Sequence, residues 1–210
     1  MNFPTDTIKP LEADSVVGDD VRGRLMQAMA QSIAEKGFSQ TVVADVVRIA
    51  RVSRRTFYEH FEDREDCFLA VCDSFTGSAR AAIADAADPA LPWSEQAAAA
   101  VAAHTTLLMA DPSITRSFFF EIYSTGERGV VQHRKVHRLF AEQLFELAKQ
   151  MRESNPELNP ISFPVASAIV AAIGELAMLA IEQGSTAAVA QEMNDVALGL
   201  ISDLLTAPRR

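Results

Sequence analysis

The chain has 210 residues, 49% of them hydrophobic and 22% charged, which is ample for a substantial core and rules out an intrinsically disordered chain. Its formal net charge of −9 excludes a protein that coats nucleic acid regardless of sequence, because the overall field repels phosphate. A local basic patch remains compatible with that total.

Residues 1–19 carry Pro4, Pro10 and scattered acids without periodicity and are expected to form a flexible tail. They lack the basic start and apolar run of a secretory signal, so a cytoplasmic protein is expected. From Leu11 to Asp88 there is no proline, and apolar residues recur at helical spacing. A first helix is expected from an Asp19 or Asp20 cap to Gly37, burying Leu25, Ala28, Met29 and Ile33. Thr41 is expected to cap a short second helix carrying Val42, Val46 and Ile49. Arg51 and Val52 form a turn, Ser53 caps a third helix, and His60 and Phe61 end it. A long fourth helix follows from about Asp63. On it, Cys67 and Cys72 point to different faces, which excludes a local disulfide and suits two small buried residues.

Pro89, Pro92 and Pro112 punctuate the rest. Helices are expected at 93–110, 113–124, 127–153, 162–183 and 186–206, and no stretch alternates with period two long enough to make a strand. The fold class is therefore all-α, with about nine helices: a unit at 20–66 and a helical bundle at 67–208. The stretch from Phe163 to Ile181 approaches the length of a membrane span, yet Glu175 lies mid-segment and much of it is alanine. A buried helix and no membrane partner are expected. Val189, Met193, Val196, Leu200 and Leu204 form a seam along the last helix. Together with Val165, Ile169 and Ile173 of the helix before it, they are the expected interface of a two-fold homodimer.

Residues 22–68, RGRLMQAMAQSIAEKGFSQTVVADVVRIARVSRRTFYEHFEDREDCF, resemble the DNA-binding domain of the tetracycline-repressor (TetR) family. The resemblance rests on Glu35-Lys36-Gly37-Phe38, on Thr41, on Val52-Ser53 followed by Thr56-Phe57-Tyr58 and His60-Phe61, and on Arg64 in an acid-rich helix start. It implies a three-helix helix-turn-helix domain followed by a variable helical ligand-binding and dimerisation bundle. It also implies that Thr41, Tyr58, His60 and Arg64 touch phosphate.

The residues carry a reading of their own. A short helix enters the major groove when its outward side chains are donors and its inward ones apolar. From Ser53 onward, Arg54, Arg55, Thr56 and Tyr58 lie outward, while Phe57 and Phe61 anchor a core. The planar fork of arginine bonds two acceptors of guanine, which makes Arg54 and Arg55 the candidate base readers. Between Val21 and Phe61 seven basic residues, Arg51 among them, face three acids, Glu35, Asp45 and Glu59. That local excess orients this end toward double-stranded operator DNA. Arg51 stands where the family commonly has glycine, so a reshaped turn is expected.

Effector-binding candidates in the bundle are Phe75, Trp93, His104, Met109, Phe119, Tyr123, His137, Phe140 and Glu175, an apolar set with a few orienting polar groups. The expected effector is small and largely apolar. His133 and His137 share a helix face, but Arg134, Lys135 and Arg138 beside them repel a cation, and neither metal nor cofactor is expected. Phosphate loops, GxSxG and HExxH are all missing from the sequence, so no catalytic residue is assigned. The function expected is a ligand-responsive regulator, a repressor released by its effector; the alternative is a helical interaction protein with a degenerate helix-turn-helix.

Overall fold

The computed structural model describes residues 20–184 and 186–208; the expected tail, 1–19, lies outside them. The regular elements among the described residues are all helices, with no strand among them. Nine α-helices run in chain order: α1 (Val21–Lys36), α2 (Val43–Ala50), α3 (Arg54–His60), α4 (Arg64–Ala86), α5 (Trp93–Ala110), α6 (Pro112–Arg116), α7 (Glu127–Ser154), α8 (Phe163–Glu182) and α9 (Ala187–Thr206).

The helix starts follow from local chemistry. Asp20, Ser53, Asp63, Asp111 and Thr186 each turn a side-chain oxygen onto backbone N–H groups that the first turn leaves unpaired. Gly37, at φ +79°, ends α1 in a conformation that a side chain would resist.

Two cores organise the molecule. The first joins α1, α2, α3 and the start of α4 around Leu25, Met29, Ile33, Phe38, Val46, Phe57, Phe61 and Phe68, and it also takes in Ile122 from far along the chain. Phe38 and Phe68 stack inside it with ring centres 4.1 Å apart. The second core joins α5, α7, α8 and α9 around Val101, Leu108, Met151, Ile169, Ile173, Ala177, Met193 and Ile201. Helices α7 and α8 run antiparallel, since Phe145 meets Phe163 while the earlier His137 meets the later Ser167.

Three sequence-based expectations need correction. Thr41 does not cap α2: its side chain is wholly buried, and its Oγ1 donates to the Gly37 carbonyl (2.8 Å) while bonding Ser32 Oγ (3.0 Å). Val42 occupies the cap position with its side chain exposed, and Asp45 Oδ2 accepts its N–H at 3.0 Å.

The single helix expected at 113–124 is instead α6, a π-helical turn at Ser117–Glu121 and a 3-10 turn at Ile122–Thr125. Three successive phenylalanines require three different niches. Phe118 enters the first core, Phe119 packs on Gly174, and Phe120 lies outside with the Arg116 guanidinium 5.2 Å from its ring centre. The extra residue of a π turn seats them. Gly129 lets α7 begin tight against this turn, because a Cβ there would collide with the Ile122 carbonyl.

The expected dimer seam also divides. Ile169, Ile173 and Met193 belong to the second core of the same chain, and Val165 and Val189 pack against it, whereas Val196, Leu200 and Leu204 stay exposed. A stripe at helical spacing cannot distinguish these two destinations. Among the described helices, α8 alone is long and apolar enough to cross a membrane (mean hydropathy 2.0). Its inner row, Ala166, Ile169, Ile173, Ala177 and Ala180, is buried, the last four in the second core.

Candidate nucleic-acid interface and effector cavity

Helix α3 is held by one buried anchor, Phe57, and by the Phe61 that follows it, with ring centres 5.7 Å apart. Ser53 Oγ accepts the Thr56 N–H at 3.0 Å. The opposite side presents Ser53, Arg54, Arg55, Tyr58, Glu59 and His60 to solvent, with Thr56 half-buried. Arg55 Nε lies 3.1 Å from Glu59 Oε1 one turn on, and both side chains remain largely exposed. Arg48 is also exposed, on α2; its signal in the sequence was only its charge, which does not say which way a helix turns.

Arg51 makes the turn between α2 and α3 in the left-handed region, at φ 55° and ψ 46°, the one non-glycine residue with positive φ among those described. Such a conformation costs an L side chain about 1 kcal/mol. Arg51→Gly is therefore expected to raise the stability of the domain by up to about 1 kcal/mol, read from thermal unfolding; a lower melting temperature would contradict it.

Two expected phosphate contacts are placed elsewhere. Thr41 is buried as described. Arg64 is engaged internally: it donates to the Thr41 carbonyl (2.9 Å) and to Glu65 (2.9 Å), and its guanidinium lies 4.3 Å from the Phe38 ring centre. It clamps the start of α4 onto the loop between α1 and α2. A basic residue at a helix start reads the same in sequence whether it faces solvent or its own chain.

The second feature is a cavity of about 310 Å³ between α4, α5, the Ser117–Thr125 turns, α7 and α8. Of the expected effector residues, Phe75, His104, Phe119, Tyr123, His137, Phe140 and Glu175 line it. Trp93 and Met109 do not; both pack against the second core. The lining also includes Thr76, Leu108, Phe118, His133, Val136, Val170, Gly174 and Met178. The aliphatic members look like ordinary core in a sequence, because only the packed helices leave a space beside them.

Aromatic rings dominate the walls. His133 lies 5.8 Å from Phe118 and 5.3 Å from Tyr123, ring centre to ring centre. His137 Nε2 is 2.8 Å from Ser167 Oγ, and the His104 and Phe140 rings are 4.9 Å apart. Burial holds His133 below its ordinary pKa, and neighbouring His137 and Arg134 add to the effect. Among the described residues no third metal-ligating group joins His133 and His137.

Burial pushes His104 further, from 6.5 down to about 4. A base with a lowered folded pKa leaves the unfolded chain with more bound protons between those two values, so folding loses stability as pH falls through that window. The folded protein is thus expected to lose on the order of 3 kcal/mol between pH 7 and pH 4 relative to His104→Gln. Denaturant unfolding of both forms across that range would show it, and parallel pH profiles would refute it.

The cavity and the first core are joined by one segment. Phe118 lines the cavity and packs into the first core. Three residues on, Glu121 Oε2 accepts the Phe38 N–H at 2.8 Å and the Ser117 hydroxyl at 2.7 Å. Burial opposes the charge on Glu121, yet these bonds and others from Ser39 hold its pKa below the ordinary carboxylate value.

Residues 25–71 match the family model described as bacterial regulatory proteins, tetR family. Among solved structures, the fatty acid degradation regulator FadR from Bacillus halodurans superposes with a TM-score of 0.74 at 19% identity, over 87% of this chain and 96% of that one. FadR from Bacillus subtilis, solved in complex with stearoyl-CoA, gives 0.71 at 14% identity, over 89% and 99%. The reduced form of NemR from E. coli gives 0.69 at 15% identity, over 91% and 100%. No curated protein sequence matches the chain. Residues 25–71 are therefore a TetR-family helix-turn-helix domain by sequence, and the chain along its described length has the fold of TetR-family regulators.

Proposed function

We propose that the protein is a cytoplasmic transcriptional repressor that binds a palindromic operator as a homodimer and is released by a small, largely apolar effector. The observation that carries this reading is α3: one face is fixed by buried Phe57, while the other presents Arg54, Arg55 and Tyr58 to solvent, within a stretch from Val21 to Phe61 that holds seven basic residues against three acids. Two such helices, related by a two-fold axis, would meet successive major-groove faces about 34–36 Å apart or a multiple of it.

The pairing surface is the outward side of α8 and α9, where Leu179, Val196, Leu200 and Leu204 are exposed. A small groove of about 100 Å³ between the two helices, lined by Leu176, Leu179, Val189 and Val196 among others, offers a seat for a partner's side chain. Release follows from linkage: an effector shifts the dimer toward a non-binding form only by its preference for that form. Phe118 and Glu121 supply the connection, because a ligand that displaces the wall of the cavity also displaces residues fixed to the α1–α2 loop.

An electrophoretic shift against the protein's own promoter region tests this. Binding that weakens steeply with salt is expected; no binding at low salt would overturn the reading in favour of a helical interaction protein with a degenerate helix-turn-helix.

A further inference from the structure

A second, smaller space of about 70 Å³ lies beside the main cavity, and three residues, His104, Phe140 and Val170, line both. The two spaces differ in chemistry. Around the smaller one stand Ile83, Val101, Leu144, Leu147 and Leu205, with Gln143 the main polar exception. Gln143 Nε2 is already spent on the Arg80 carbonyl at 2.8 Å. Tyr123, His133, His137 and Glu175 all belong to the larger space. Polarity is thus graded from the larger space to the smaller one beside it, across the wall that His104, Phe140 and Val170 share.

From this gradient we propose that the effector is a linear aliphatic chain with a compact polar head, and that the smaller chamber is a tail pocket that measures chain length. The inference rests on the reading of the larger cavity as the effector site. Seventy cubic ångströms is the space of about two water molecules, too little for an aromatic ring and enough for a few methylene groups. The tail passes the tilted ring pair of His104 and Phe140, and the head remains where hydroxyl, imidazole and carboxylate groups are available. In the smaller chamber the polar groups are the unpaired Gln143 Oε1, an acceptor that cannot donate to a carboxylate, and the His104 ring shared with the larger space, whereas Tyr123, His133, His137 and Glu175 all stand in the larger one, so the chain has one favoured orientation.

The test uses the full-length protein with two probe series, n-alkyl carboxylates and n-alkyltrimethylammonium ions, so that a mismatched head does not hide the tail. Titration calorimetry below micelle-forming concentrations would follow chains of about six to fourteen carbons; affinity is expected to rise about fourfold per added methylene until the tail pocket is full, then level off. Ala100→Leu, which adds bulk to the smaller chamber, is expected to shorten the length at which the gain stops. Leu147→Ala, which enlarges it, is expected to lengthen it.

The same turning point in wild type and both variants would overturn the proposal, as would the absence of any gain with chain length. If compact aromatic compounds bind while neither alkyl series does, the tail pocket falls and the effector site stands. If no series binds, both fall.

Discussion

Replacing Arg54 and Arg55 together with alanine is expected to weaken operator binding about a hundredfold or more while leaving helical content and oligomeric state unchanged. A bidentate arginine–guanine contact is worth about 1–3 kcal/mol of discrimination, and two of them lost together exceed the effect of removing two charges from phosphates. Stability should hardly change, because both side chains are exposed and the Arg55–Glu59 contact lies on the surface, where such pairs contribute little. The two arginines are not equivalent: Arg55 is shared with Glu59, and no comparable contact occupies Arg54 among the described residues. Glu59→Ala therefore separates them, since it frees Arg55 for DNA and should tighten binding at low salt. The measurement is a fluorescence titration at several salt concentrations against the operator and against unrelated duplex. Loss confined to the operator marks base reading, and equal loss on both marks phosphate contact. Operator affinity equal to that of wild type would refute the assignment.

The second large effect concerns pairing. Val196→Glu combined with Leu200→Glu is expected to raise the dimer dissociation constant more than a hundredfold. Val196 is 49% exposed and Leu200 36% exposed in the single chain, so the monomer does not need them for its core, and its melting temperature should barely move. In a two-fold interface each substitution occurs twice, removing apolar burial and placing carboxylates beside one another in a water-poor seam. Nearby Glu192 and Asp195 add to the repulsion. Analytical ultracentrifugation would give the association state directly. Operator affinity should fall in step, because a monomer meets only one half-site. A dimer that survives the double substitution would place the interface elsewhere.

The helix-turn-helix was legible in the sequence because its signals are local. Asp20, Ser53 and Gly37 act on backbone within a few residues of themselves, and the burial of Leu25, Met29, Ile33, Phe57 and Phe61 follows from helical periodicity. The same holds for helix order and, within a residue or two, for the bounds of α5, α7, α8 and α9. Thr41 and Arg64 were misread for the opposite reason. Their deciding neighbours in space, Ser32 for the first and Phe38 and the Thr41 carbonyl for the second, lie far enough along the chain that nothing in the local pattern shows whether the side chain turns outward or inward.

The bundle marks the boundary more sharply. Residue order alone dictated an all-helical chain, a basic face on α3, and a surplus of apolar residues on the last two helices, since each depends on spacing along one helix. Assigning Ile173 to the core and Leu200 to the surface, leaving Trp93 out of the cavity while bringing in Thr76 and Gly174, and breaking the Phe118–Phe120 helix into a π turn all required the packed bundle. A cavity is the space that several helices fail to fill together, and an outward face is the one that no other helix covers. Both are properties of three-dimensional packing, which periodicity along one helix cannot encode.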